Sequence, residues 1–430
     1  MIPKGNFPER KIIWERGGLL DRITALEGYS YPLVPTIVPA PSVMDVITGQ
    51  VADDHNGNVN PTTNVAWHGG VFYLVQIRST SQGYLDVYSS SDNGATWTLA
   101  ANQDVGGNIT AYSIEAGPNG LEIIYIVTED YCYHLTWSYG GTFGTATQLV
   151  SASYVRYPDI AIDSVGDLWA VWGDYTTGST HARHRLNGVW QTAETVYGGW
   201  NTATHVIVDK DDVPQVAYDG SWRYRAAENN WPETAWANQH KAWPCCDYTS
   251  GDLYVFLLNQ ADDVGCRRKP YGAAWDATYY GVTTYHQDRY TDFGACLDNN
   301  AYLWAMAACK GFGDYPDDYS VVREYRTGYG GTQQGEVMVA LADASYRYPS
   351  GGSGKGICSP TGRYQSYDGV IFTYDWQDKA TNKHYWRSYA YAPIEQTSTT
   401  YAGNPPASGQ VSGLALAGSA DAELLAYLGM

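Results

Sequence analysis

Residues 158–190 read PDIAIDSVGDLWAVWGDYTTGSTHARHRLNGVW and contain one full unit of a pattern that recurs along the chain. An apolar strand runs into a turn of Asp and Gly. A second strand carrying aromatic residues follows, and a polar loop then leads to a third strand. Asp and Gly at the turns let the backbone reverse, while the β-branched and aromatic residues between them suit a pleated sheet. The next unit, THVIVDKDDVPQVAYDGSWRYRAAENNW, occupies residues 204–231.

Seven second strands align: FYLVQI from Phe72, LEIIYIV from Leu121, LWAVWG from Leu168, VPQVAYD from Val213, LYVFLLN from Leu253, LWAMAAC from Leu303 and VIFTYDW from Val370. The 298 residues from Phe72 to Val370 cover six steps, about fifty residues each, which is the length of a four-stranded propeller blade. The longest interval, Leu303 to Val370, holds GYGGTQQGEV and YPSGGSGKG, which read as loop insertions. One unit exposes an apolar face that it cannot bury alone, and stacking units into a ring removes both open ends. The pattern predicts an all-β, seven-bladed β-propeller, with a six-bladed ring as the alternative.

Composition agrees. In 430 residues there are 38 Tyr, 16 Trp and 46 Gly against 26 Lys plus Arg, a balance that favours short strands and turns over long helices. A net charge of −19 excludes nucleic acid as the expected ligand, because a polyphosphate needs a basic stripe. The opening MIPKGNFPERKIIWERGG is charged and broken by Pro, so no signal peptide is expected, and no apolar run is long enough for a membrane span. The seven Cys (132, 245, 246, 266, 296, 309 and 358) are odd in number and lack paired C-x-x-C spacing, so buried free thiols are expected.

The propeller is expected over residues 61–392. Residues 1–60 form an N-terminal arm with a short helix near Gly18 to Glu27 and a Pro-rich extended segment, YPLVPTIVPAPSV. Residues 393–430 form a tail whose SADAELLAYL has Ser419 placed to cap a short helix. Either end serves to pack on the ring or to dock on a larger assembly.

Within the stretch SSSDNGATWT, residues 89–98, the octet Ser90 to Trp97 resembles the Asp box, S-x-D-x-G-x-T-W, of the bacterial neuraminidase repeat propellers. Ser90, Asp92, Gly94 and Trp97 stand at its defining positions. The resemblance implies a structural hairpin between the third and fourth strands of a blade, away from the ligand face. That superfamily includes sialidases, other glycosidases, polysaccharide lyases and binding proteins, so it implies the fold more narrowly than the activity. Asn187-Gly188-Val189-Trp190 and Asn229-Asn230-Trp231 are fragments of the same box.

Innermost strands of a propeller converge on the central channel, so the residues that open them line a shared pocket. Arg156-Tyr157, Arg289-Tyr290 and Arg347-Tyr348 each precede a first strand. Three guanidinium groups at equivalent positions would suit a carboxylate, and they resemble the arginine cluster with which sialidases hold a sugar carboxylate. The same residues would equally serve to brace neighbouring blades. His205 and Trp243 occupy similar positions and are candidates for a polar contact and an aromatic platform, or for channel filling. Asp53-Asp54-His55-Asn56 weakly resembles a stretch of repeat-containing polysaccharide lyases, which implies His55 as a general base oriented by Asp54; a surface turn is the plainer alternative.

A retaining sialidase also needs a Tyr nucleophile paired with a Glu, and no Glu is singled out by its position. No cofactor is expected. HExxH and EF-hand patterns are missing, His181 and His184 in HARHR read as an exposed strand, and Asp-rich turns such as Asp314 to Asp318 would hold Ca2+ or, more commonly, stay solvated. The leading expectation is a propeller that binds glycans or proteins in a virion, as a phage tail or capsid appendage acting as an adhesin, or in another extracellular assembly. The competing one is an enzyme on acidic sugars, either a sialidase-like hydrolase or a uronate lyase.

Overall fold

The computed structural model describes residues 44–393, apart from 81, 152–153, 199–203, 219–220, 237–238, 260–262, 284–289, 299, 311–317, 350–355, 361 and 364–368. The two expected helices and the Pro-rich segment lie outside the described residues. Among the described residues all regular elements are strands, arranged in seven sheets that follow one another along the chain. The seven-bladed propeller is therefore the fold, and the six-bladed alternative falls.

Blades are numbered here in chain order; their innermost strands begin at Val65, Ile109, Val155, Thr204, Gln239 and Tyr290, and in the seventh blade at the short pieces Tyr346–Arg347 and Ile357–Cys358. The seven aligned aromatic-rich segments are the second strands: Val71–Ile77, Gly120–Val127, Leu168–Asp174, Pro214–Tyr218, Leu253–Asn259, Leu303–Lys310 and Val370–Asp378. Their nearly continuous burial explains why they read so strongly, since both faces of a middle strand meet a neighbouring blade. Apolar layers sit between blades; Val75 and Leu85 of the first meet Ile114 and Ile123 of the second. Each such side chain contributes about 1.5–3 kcal/mol by leaving water. All seven cysteines are free and buried, as expected.

The boundary expected at residue 60 shifts to 44. Met44–Gln50, assigned to the N-terminal arm by the repeat pattern, is the outer strand of the seventh blade and runs antiparallel to His384–Pro393, with Met44 opposite Pro393 and Gln50 opposite Arg387. Pairing the first strand with the last closes the ring and abolishes the open edge. Periodicity missed it because this strand stands apart from the unit it completes.

The stretch that resembles an Asp box forms the turn between Tyr84–Ser90 and Thr98–Asp104, the third and fourth strands of the first blade. Asn93 and Gly94 adopt left-handed conformations, φ 59° and 86°. Asp92 pins the turn: its Oδ1 accepts from Ser90 Oγ (2.7 Å) and the Thr96 amide (2.9 Å), and its Oδ2 accepts from Thr96 Oγ1 (2.6 Å). Partial burial opposes ionisation of Asp92, but these donors hold its carboxyl below the usual carboxylate value.

Trp97 then wedges against the preceding blade in the ring, and the same device recurs. Tyr139 stacks on His68 (4.2 Å between centroids), Trp190 meets His134 (5.3 Å), Trp231 meets Trp169 (6.1 Å), Trp275 meets Trp222 (4.8 Å) and Tyr329 meets Tyr280 (4.8 Å). Each follows or lies beside a left-handed turn residue, at Gly141, Asn187, Asn229, Gly272 and Gly328. Six blades thus carry an aromatic at the third-to-fourth turn and place it on the blade before. Across the channel, Arg363 of the seventh blade pairs with Asp212 of the fourth (2.9 Å) and lies 5.2 Å from the Tyr248 ring of the fifth. Because these blades are not neighbours, the Arg363 side chain reaches across the ring on the face of the first-to-second turns.

Candidate functional site

Antiparallel order puts the entry of each first strand and the exit of each second strand on one face, opposite the turns just described. Arg156 opens the third blade on that face. Its Nη2 donates to both oxygens of Glu129 in the second blade, at 3.0 and 3.1 Å. The guanidinium carbon lies 5.9 Å from the Tyr154 ring and 5.1 Å from the Tyr175 ring, both within cation–π range. Main-chain bonds fix the frame, from the Val155 amide to Glu129 O (2.6 Å) and from the Tyr175 amide to Tyr154 O (3.0 Å). Tyr154 is 56% exposed, and Tyr131 is exposed as well.

The backbone here is strained. Tyr154 and Tyr157 have φ of 59° and 51°, and Tyr157 precedes Pro158, where the chain ordinarily prefers an extended conformation. The ladder between the first and second strands slips between Arg156 and Asp159. A left-handed non-glycine residue costs on the order of 1–3 kcal/mol each, and such strain concentrates at functional sites. Here it turns Tyr157 beside Tyr175, with rings 6.2 Å apart.

The other Arg-Tyr entries have separate partners. Arg347 Nη1 pairs with Asp318 at 3.1 Å, and Asp318 also takes Lys379 at 2.6 Å. Burial opposes the charge of Asp318, yet the Lys379 and Arg347 contacts hold its pKa below the ordinary value. Of the Asp-rich turn Asp314 to Asp318, only Asp318 is described, and it is committed to these cations. Tyr348 is buried rather than lining a pocket; its hydroxyl donates to Asp292 Oδ2 (2.7 Å), and burial pushes its pKa up. Arg289 lies outside the described residues; the Tyr290 backbone begins the first strand of the sixth blade. Arg156 and Arg347 are thus each committed to a carboxylate of a neighbouring loop, and among the described residues no shared contact brings them together.

His205 and Trp243 are buried and pack on one another with centroids 4.5 Å apart. They fill the channel wall and present no face to solvent, so the expected aromatic platform is not at Trp243. A hydrogen-bonded belt missed in the sequence runs at their level. Ser113 Oγ accepts from the Thr63 amide (3.2 Å) and donates to Asp159 Oδ1 (2.6 Å), and Asp159 Oδ2 accepts from the Val206 amide (2.8 Å). On the other side, buried Asp292 takes Lys241 Nζ, Tyr348 and the Gly356 amide (2.7 Å). Both aspartates follow Arg-Tyr by the same spacing, in RYPD and RYTD, a signal that was available in the sequence.

His55 is held otherwise than expected. Its Nε2 lies 3.0 Å from Asp375 Oδ1, its ring stacks on Trp386 at 4.7 Å, and Asp54 instead accepts from Ser79 Oγ (2.5 Å). Burial opposes ionisation of Asp375, but His55 and His384 together lower its pKa. Asp53 accepts from Tyr88 OH (2.5 Å), whose pKa rises through burial and this bond. His184 stacks on Trp169 at 4.3 Å within the third blade.

No protein-family model matches the chain, and no curated protein matches it. Among solved structures, the BP39L lectin from Burkholderia pseudomallei is similar at 10% identity, covering 82% of this chain and 99% of that one, with a TM-score of 0.53. Virginiamycin B lyase from Staphylococcus aureus matches at 9% identity over 80% of this chain and 99% of its own, TM-score 0.48. Polysaccharide lyase Uly1 matches at 8% over 82% and 100%, TM-score 0.38. At such identities, what this chain has in common with the BP39L lectin is the propeller fold.

Proposed function

We propose that this propeller binds glycans through the face around Arg156. The observation that carries this is the Arg156–Glu129 pair, its guanidinium within cation–π range of both Tyr154 and Tyr175, with Tyr154 open to solvent. Exposed phenol rings offer flat apolar faces to sugar C–H groups, and the ion pair offers donors and acceptors side by side to adjacent hydroxyls. Glu129 already neutralises the guanidinium, and the chain carries −19 overall, so neutral sugars suit the site better than uronates or sialic acids. The resemblance of residues 90–97 to an Asp box belongs to this proposal as a mark of the scaffold.

An enzyme on acidic sugars would want guanidinium groups free for a sugar carboxylate, whereas Arg156 and Arg347 already hold Glu129 and Asp318. Binding is therefore preferred over catalysis. The setting we propose is a virion appendage or another extracellular assembly, checked by finding the chain in purified particles. The site is tested by incubating the full chain with immobilised neutral and acidic polysaccharides and assaying for reducing or unsaturated ends. Retention on a neutral glycan without product supports the proposal; steady product from an acidic polysaccharide overturns it.

A further inference from the structure

A second cluster lies at the seam where the ring closes. Asp375 stands between two imidazoles: Oδ1 is 3.0 Å from His55 Nε2, and its two oxygens are 3.1 and 2.9 Å from His384 Nδ1. One donor atom from each of the three residues falls within 4.8 Å of the others. Ligands about 2.0–2.2 Å from a tetrahedral Zn2+ stand about 3.4 Å apart, and Asp375 lies 3.0 Å from His55 Nε2 and 2.9 Å from His384 Nδ1.

Charge makes the same case. Asp375 is 6% exposed and His55 3%. Among the described residues the ion-pair partners of Asp375 are these two imidazoles. A carboxylate this deeply buried is costly without a full countercharge, and a divalent cation held by the same three side chains supplies one. The ligands are also pre-set: His55 stacks on Trp386, and a Cβ at Gly57 would strike the His384 ring. The other His-carboxylate group, Asp163, Asp167 and His184, is spent on its turn. There Asp163 Oδ1 accepts the Val165 and Asp167 amides, and Asp167 Oδ1 accepts that of Asn187.

The geometry points to a divalent-metal site of the Zn2+ class, with His55 Nε2, Asp375 and His384 Nδ1 as ligands and a fourth position left to water. His55 comes from the segment after the closing strand, while Asp375 and His384 come from the second and third strands of the seventh blade. The ion staples the closure in addition to the strand pairing of Met44–Gln50 with His384–Pro393. Each imidazole coordinates with its proton on the other ring nitrogen.

The full chain is stripped with a chelator and titrated with Zn2+ and, separately, with Co2+. The expected result is about one ion retained per chain, visible absorption of four-coordinate Co2+, and a Tm raised by about 3 °C with Zn2+. His384→Gln weakens Zn2+ binding about tenfold or more, and His184→Gln leaves it unchanged. A folded wild-type chain that keeps no Zn2+ and shows no Co2+ band overturns the site, as does His384→Gln binding as tightly as wild type. The wild-type Co2+ spectrum decides the matter even if a variant fails to fold.

Discussion

Trp97 Nε1 donates to Ser388 Oγ at 3.0 Å across 291 residues of sequence, and the same hydroxyl donates to Gly94 O at 2.5 Å. One serine of the seventh blade therefore receives both the indole and the backbone of the first-blade turn. That turn is part of the ring seam as well as a hairpin of its own blade. Trp97→Ala is expected to cost about 3–5 kcal/mol and Ser388→Ala about 1 kcal/mol in denaturant unfolding. A double-mutant cycle should return a coupling well above experimental error; strictly additive losses would mean the two residues act apart.

The closing strand meets the same turn. At Gly49 a Cβ would collide with the carbonyl oxygens of Gly94 and Ala95, whereas at Gly198 it would meet open space. Gly49→Ala should lower stability by about 1–3 kcal/mol while Gly198→Ala stays within about 1 kcal/mol of wild type, read from chemical denaturation midpoints.

Glu194 gathers the degenerate turn of the fourth blade. It accepts from Arg225 Nη2 (2.7 Å), the Asn229 amide (2.9 Å) and Trp231 Nε1 (3.0 Å). Burial opposes its charge, yet the Arg225, Asn229 and Trp231 bonds hold its carboxyl below the ordinary glutamate value. A depressed carboxyl stabilises above its unfolded value, about 4.3, and that stabilisation is lost as pH falls through the folded value. Glu194→Gln should therefore cost about 1–3 kcal/mol at pH 7, and the gap to wild type should close below about pH 4 in pH-dependent thermal melts.

Much of the fold was legible because second strands are buried on both faces and so repeat as aromatic and aliphatic runs. The closing strand was not, since Met44–Gln50 pairs with a partner more than three hundred residues away and belongs to no local unit. The turn device was legible in part: Asn187 to Trp190 and Asn229 to Trp231 could be seen, while Tyr139, Trp275 and Tyr329 have no Asp or Asn shortly before the aromatic. For the site, Arg-Tyr drew attention to the face at Arg156 on which the proposed function rests. Its partners Glu129 and Tyr175 come from loops of different blades, and no spacing rule links them. His55 was legible as a residue but not its carboxylate, since Asp375 lies 320 positions on.

Trp243 separates channel filling from ligand contact. Its ring is buried against His205 and Phe293. Trp243→Phe should lower Tm yet leave glycan affinity within about twofold at a temperature where the chain is folded, measured by calorimetric titration.

The central claim rests on the face of Tyr154, Arg156 and Tyr175, and its most direct measurement is glycan titration of wild type beside Tyr154→Ala and Arg156→Gln. Tyr154 is largely exposed, so its removal should leave Tm nearly unchanged and weaken binding about tenfold or more, with Arg156→Gln losing at least as much. Unaltered affinity in both folded variants would contradict the assignment of this face as the binding site.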